Sequence, residues 1–304
     1  MSRAAVSKRR ERANMALFLG PACIILLGFF IAPAVVDVGI AFTDMGQNIR
    51  VTTVTLENVR RIFLSDSQLP KVLSVTTLYV VGTLALFNVG FALVMALTTT
   101  SVSQPTGALF RGIWLLPRFS PSVVYALLWV WVVDASDFGL LNQMLHAVGL
   151  APFDMRDQAP IALIIIANGF IGTGTGMIIL TSSIRAIPEH LFHAARVDGA
   201  GGFAITRFVV LPALRWPLSF ITIFQALSLL TSFEYIWLIT NGGPFYDTTV
   251  YALMVYKRAF QNGQYAYGAA LALILIVIGI VVTLVSWRLL DLRSLLQRPR
   301  IEVQ

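Results

Sequence analysis

Six long apolar stretches constrain this chain more than any other feature. They fall at about 15–42, 72–97, 109–133, 161–183, 218–239 and 267–289. A hydrocarbon core about 30 Å thick needs about 20 apolar residues of helix, because each backbone N–H and C=O must be satisfied within the segment. Barrel strands would be shorter and would alternate in polarity. The sequence therefore predicts an all-α membrane protein with six transmembrane helices. Charged residues make up only 12% of the 304 residues and apolar ones 57%, so a wettable globular surface is excluded despite the net charge of +7. A nucleic-acid partner is excluded for the same reason, whereas membrane lipid is expected around the spans.

The first stretch follows a basic flank (Arg3, Lys8, Arg9, Arg10, Arg12) that suits a signal peptide, yet its apolar run is too long for one and reads as a retained span. Basic residues set the orientation. The flank joins Arg111, then Arg185, Arg196, Arg207 and Arg215, then Arg288, Arg293, Arg298 and Arg300 on one side. The opposite loops carry Arg50, Arg60, Arg61, Lys71, Arg156, Lys257 and Arg258, about balanced by their acids. Both termini are thus expected in the cytoplasm. The divisions that follow are a basic tail at 1–14, the first helix and outer loop at 15–71, a core at 72–290 and a tail at 291–304. The single cysteine, Cys23, excludes an intrachain disulfide.

The long inward connection at 187–216 has its own pattern. Pro188 and Glu189 suit the first turn of a helix, and Leu191, Phe192, Ala194 and Ala195 give that helix an apolar side. The run Asp198-Gly199-Ala200-Gly201-Gly202 interrupts it, and a second short helix at about 203–210 leads to Leu211-Pro212. Such an elbow, with Phe203 and Phe208 available as anchors, is either an interfacial hairpin lying on the membrane or a docking site for a partner protein.

The spacing His193-Ala194-Ala195, Gly199, Val209, Leu211-Pro212 resembles the cytoplasmic loop of binding-protein-dependent ABC importers, with His193 where that family usually has Glu. Thr240-Asn241-Gly242-Gly243-Pro244 is similar to the Thr-x-Gly-Gly-Pro signature of maltose-type carbohydrate permeases. Thr248, the Tyr256…Ala259-Phe260 run and Phe138-Gly139-Leu140-Leu141-Asn142 also resemble that group. The resemblance implies a type I ABC importer permease fold. It further implies a second homologous permease subunit, a cytoplasmic ATPase dimer and an extracellular or periplasmic solute-binding protein as partners, with a sugar-like substrate and a place in the cytoplasmic (inner) membrane. Glu189, His193, Ala194, Ala195, Asp198, Gly199, Ala200, Phe208, Leu211 and Pro212 would then face the ATPase. ATP and Mg would belong to that partner, since this chain has no Gly-x-x-x-x-Gly-Lys loop and needs no cofactor.

Polar residues at membrane depth are costly unless they find partners or line a pathway. Asn168, Gly172 and Thr175 share one helical face at i, i+4 and i+7, and Gln225 and Ser232 share another. By resemblance these two spans carry the sugar site. The same residues can instead hydrogen-bond between helices, and Gly172 with Gly176 forms a close-packing pair. Phe170, Phe224 and Phe233 are candidates to stack on a sugar or to pack. Glu234 suits a tertiary pair or a gate contact. Arg118, between Pro117 and Pro121, would by default extend to the headgroups, or else face the pathway and favour an anionic sugar derivative. The acids of the third loop, Asp134, Asp137, Asp154 and Asp157, are either a solvated surface or contacts for a binding protein. His190 and His193 alone make a poor metal site, and no catalytic constellation is visible within the spans. The reading is a permease subunit rather than an enzyme. The alternative is an ion-coupled secondary transporter of small polar solutes, for which Glu234 is the one deep coupling candidate and internal repeats are wanting.

Overall fold

The computed structural model describes Met15 and residues 17–289. The basic residues of the two tails, Arg3, Lys8, Arg9, Arg10, Arg12, Arg293, Arg298 and Arg300, lie outside the described residues. The described chain is nearly all helix: α1 Leu17–Ala41, α2 Glu57–Leu64, α3 Leu69–Ser101, α4 Gln104–Phe119, α5 Ser122–Val132, α6 Leu140–Ala147, α7 Pro160–Arg185, α8 Glu189–Val197, α9 Gly202–Ala213, α10 Arg215–Thr231, α11 Glu234–Thr240, α12 Tyr251–Tyr256 continued by Lys257–Gln261, and α13 Tyr265–Leu289.

Four of these, α1, α3, α7 and α13, are singly long and apolar enough to cross a bilayer. The count reaches six when each of two bent pairs is taken as one span. The α4–α5 pair bends by 100° and the α9–α10 pair by 65°. The stretch at 109–133 is therefore not one straight helix. Ser120 is extended (ψ 140°) because Pro121 disfavours helical geometry in the residue before it. The stretch at 218–239 is also interrupted: α10 ends at Thr231, Ser232 is extended (ψ 123°), and α11 restarts at Glu234. Ser232 therefore does not continue the Gln225 face as a helical residue. The elbow's second helix is longer than 203–210, running to Ala213, with π turns over Thr206–Val210 just before Leu211-Pro212. Helices α2, α6 and α12 were not evident from hydropathy.

The chain divides into two compact units. Among the described residues the first comprises those up to Asp66 and Val255–Ile274, and the second Ser67–Met254 and those from Leu275 on. In the first, the Asp66 carboxylate accepts from the Tyr267 hydroxyl at 2.6 Å and lies 3.6 Å from the Arg258 guanidinium. Arg61 sits 4.2 Å above the Tyr267 ring, completing a charged and aromatic clasp. Asp44 is held well below the usual carboxylate range by the Thr52 hydroxyl and the amides of Thr53 and Thr52, which fixes the turn after α1.

In the second unit α7 is central, with the most buried surface of the long helices. It lies along α3 at a distance that glycine permits. A methyl group at Gly176 would come within 2.7 Å of the Ala92 Cβ and closer still to the Asn88 carbonyl oxygen. The close-packing reading of Gly172 and Gly176 holds. Opposite them, α3 widens into π turns over Leu84–Phe91, and Thr173 donates to the Phe87 carbonyl exposed there at 3.3 Å.

Candidate functional site

A cavity of about 370 Å³ opens within the second unit where α3, α4, α7, α10 and α11 converge. The helical period of α7 presents Asn168, Gly172 and Thr175 to it, one above another. Helix α10 contributes Phe224, Gln225, Ser228 and Leu229, and the break after it contributes Ser232. Arg118 enters from the end of α4, Tyr235 from α11 and Asn88 from the widened part of α3.

Three cross-element hydrogen bonds hold these walls. Gln225 Nε2 donates to the Gly172 carbonyl at 3.1 Å, Asn168 Nδ2 to Ser232 Oγ at 3.2 Å, and Arg118 Nη1 to Thr175 Oγ1 at 2.6 Å. Asn168 and Gln225 are thus both interhelical partners and cavity lining; the two readings of them describe one arrangement. The interruption at Ser232 accompanies the bond from Asn168 to its hydroxyl.

Of the residues singled out in the sequence, Asn168, Gly172, Thr175, Gln225, Ser232 and Arg118 come together here. Glu234 does not line the cavity. It occupies the first turn of α11, where a carboxylate complements the helix dipole, and accepts from the Ser122 hydroxyl. The default expectation for Arg118 is corrected: the bend at Pro121 directs its guanidinium to Thr175 and not along a straight helix to the headgroups. Phe224 lines the cavity, whereas Phe170 packs on Trp114 with ring centroids 4.5 Å apart. Asn88, Ser228 and Tyr235 escaped the sequence reading. Asn88 was visible in principle, as a lone amide inside the apolar run Leu86-Phe87-Asn88-Val89.

The elbow is built as a second site. Helix α8 closes in a Schellman turn: the Ala200 amide donates to the Ala195 carbonyl at 2.9 Å and the Gly199 amide to the Arg196 carbonyl at 3.0 Å. Gly199 has φ +78°, a left-handed conformation that a Cβ disfavours. The base of the elbow is apolar and anchored: Ile187, Val210 and Leu214 are buried with Leu180 and Ile184 of α7, Ala92 and Ala96 of α3 and Ile221 of α10. Phe192, Ile205 and Val209 pack against this cluster, while Leu191 turns outward. At the tip Val197, Phe203 and Phe208 are exposed by 72% or more. Glu189 and His193 line a neighbouring cavity of about 360 Å³ with Arg185, Arg196, Thr100 and Phe192. Ala194, Asp198, Gly199 and Pro212 are exposed, and Ala195, Ala200 and Leu211 half-buried.

On the third loop Asp154 is an N-cap, accepting from the amides of Arg156 at 3.0 Å and Asp157 at 3.3 Å. Asp134 is held below the usual carboxylate range by the Ser136 hydroxyl and amide. At least these two acids are turn-forming groups.

The sequence model for the inner membrane component of binding-protein-dependent transport systems matches residues 88–292. The chain belongs to this family. It is 35% identical over 278 residues to a "probable ABC transporter permease protein" of Pyrococcus horikoshii, covering 88% of this chain and 92% of that one. It is 26% identical over 279 residues to the diacetylchitobiose uptake system permease protein of Streptomyces coelicolor, covering 87% and 78% of the two chains. A chain of a bacterial alginate ABC transporter, solved in complex with an alginate pentasaccharide-bound periplasmic protein, superposes with a TM-score of 0.82 at 23% identity over 97% of this chain and 99% of that one. This permease therefore has the type I ABC importer fold. It is a multi-pass membrane component of a transport system.

Proposed function

We propose that this permease is one of two membrane subunits of an ABC importer carrying a sugar, polyol or sugar derivative into the cytoplasm. A separate ATPase dimer would bind ATP and Mg and dock on the elbow, and a solute-binding protein would deliver the substrate to the outer loops. Both termini would lie in the cytoplasm of a bacterial-type inner membrane. One observation carries this reading: cavity and elbow are mounted on the same two helices. Ile221, in the apolar root of the elbow, is one turn from Gln225 in the cavity wall, and Leu180 on α7 is little more than one turn from Thr175. Close-packed interiors transmit displacement instead of absorbing it. Movement of the elbow with the ATPase would thus alter the cavity through α7 and α10, and nucleotide would act by favouring one of two conformations.

The cavity suits a polyhydroxylated solute. Amides and hydroxyls dominate its polar lining, with Phe224 available to stack on a sugar face. The saccharides named for the Streptomyces relative and the alginate transporter support the same substrate class. The test is reconstitution of the whole complex in proteoliposomes with ATP enclosed and binding protein outside. Labelled sugar should accumulate only with ATP, and Asn168→Leu with Gln225→Leu should abolish uptake while the ATPase remains bound. Accumulation driven by an ion gradient without ATP would establish the secondary-transporter alternative instead.

A further inference from the structure

We infer that the cavity selects a solute bearing an anionic oxygen group, a carboxylate or a phosphate, and that Arg118 is the residue that selects it. This rests on the carbohydrate reading above and narrows it. Arg118 is the one charged side chain among the cavity's lining residues. Among the described residues no carboxylate forms an ion pair with it; it donates to the neutral Thr175 hydroxyl, which occupies one of five N–H donors. The acid nearest in the chain to the lining, Glu234, is turned to Ser122 and stands outside the wall. Arg118 is itself exposed at the cavity and makes no ion pair, so its guanidinium donors are accessible to an anionic group that enters there.

A second observation points into the same space. Asn88 is completely buried, lines the cavity, and has neither amide atom hydrogen-bonded. Leaving such a group unsatisfied is unfavourable, and a bound solute is the partner available to it. An amide and a guanidinium that line one cavity can together receive the oxygens of a carboxylate or phosphate and an adjacent hydroxyl. Phe224 and Gln225 would then hold the neutral remainder of the ring.

The experiment measures equilibrium binding to the purified nucleotide-free complex of both permease subunits and the ATPase, without binding protein, so that selectivity belongs to the membrane site. The probes are a labelled hexuronate disaccharide, the neutral disaccharide of the same linkage and a hexose 6-phosphate. The wild-type complex should hold one anionic probe about ten- to a hundredfold more tightly than the neutral one, the range of a charge-assisted hydrogen bond. The arm that wins distinguishes carboxylate from phosphate. Arg118→Gln, which keeps a donor for Thr175, should abolish the preference by weakening the anionic probe at least tenfold more than the neutral one; Arg118→Lys should retain part of it. Raising KCl should weaken only the anionic probe. Equal binding of charged and neutral probes by the wild type overturns the inference while sparing the carbohydrate reading. So does an equal loss for all probes in Arg118→Gln, or loss of the partner subunit from that variant, because either means a structural role. Failure of every sugar to bind overturns both.

Discussion

Gly176→Ala adds one methyl group where α7 crosses α3, and its consequence can be worked out from the geometry. The new Cβ would sit 2.7 Å from the Ala92 Cβ and nearer still to the Asn88 carbonyl oxygen. Ordinary contact lies about 1 Å further out, and neither obstacle can rotate away, one being backbone and the other a methyl on a buried helix. The helices must separate, at about 1–3 kcal/mol for overpacking. About 1 kcal/mol returns through the better helix propensity of alanine. The net loss of up to about 2 kcal/mol should lower the melting temperature of the purified permease by up to about 3 °C. Gly172→Ala meets a different neighbour, the Asn88 side-chain amide, whose Cγ would be 2.9 Å away. That amide borders the cavity and can swing into it. Gly172→Ala should therefore melt close to wild type but bind solute poorly, with a displaced Asn88 occupying its space. Gly112→Ala, where a methyl meets nothing within 4 Å, is the control and should show no loss of stability. The assay is a thermal melt of the detergent-solubilised protein followed by size-exclusion monodispersity, with solute binding measured beside it. A Gly176→Ala melt equal to that of Gly112→Ala would refute the close-packing argument.

Gly199→Val forces a β-branched residue to φ +78°, at about 1–2 kcal/mol; it should reduce ATPase retention and uptake while membrane insertion is normal, and normal uptake would contradict the assigned role of the elbow. Gln225→Leu removes the second donor to the buried Gly172 carbonyl and should cost about 0.5–1.5 kcal/mol of stability together with solute binding; binding that survives intact would remove Gln225 from the site. Asp154→Ala should cost about 1 kcal/mol of local order at its turn, seen as faster proteolysis of the third loop with transport retained. Because the Ser136 hydroxyl and amide lower the pKa of Asp134, its contribution to that loop is present above the usual carboxylate range, about pH 4, and is lost as pH falls through the depressed value. Proteolysis in an acid-tolerant assay should accelerate only below that range, and a change centred near neutrality would show another group to be responsible.

Much of the architecture was legible because its causes are local. Apolar runs long enough for a bilayer locate the spans, the three-residue and four-residue spacing puts Asn168, Gly172 and Thr175 on one face, and Gly199 marks the end of α8 because a left-handed residue must follow it. The candidate site was legible residue by residue but not as a cavity. Pro117 and Pro121 announced a disturbance in the third span, yet nothing in the run gives a bend of 100° or the direction in which Arg118 then points. Ser232 lies in an unbroken apolar stretch and has no proline beside it; its extended backbone accompanies a bond from Asn168, 64 residues away. Asn88 looked like one more span residue until the π turns of α3 set it against Gly172.

The sequence by itself determined that this chain lives in a membrane, about how many times it crosses, and where its elbow lies. Solvation and backbone hydrogen bonding impose those features on each segment separately. Only the tertiary structure decided which polar groups share one space, that Glu234 stands aside from it, and that the elbow's root and the cavity wall occupy the same two helices. Those outcomes depend on contacts between segments far apart in the chain, whose close approach is set by side-chain volume and hydrogen-bond pairing and not by any local periodicity.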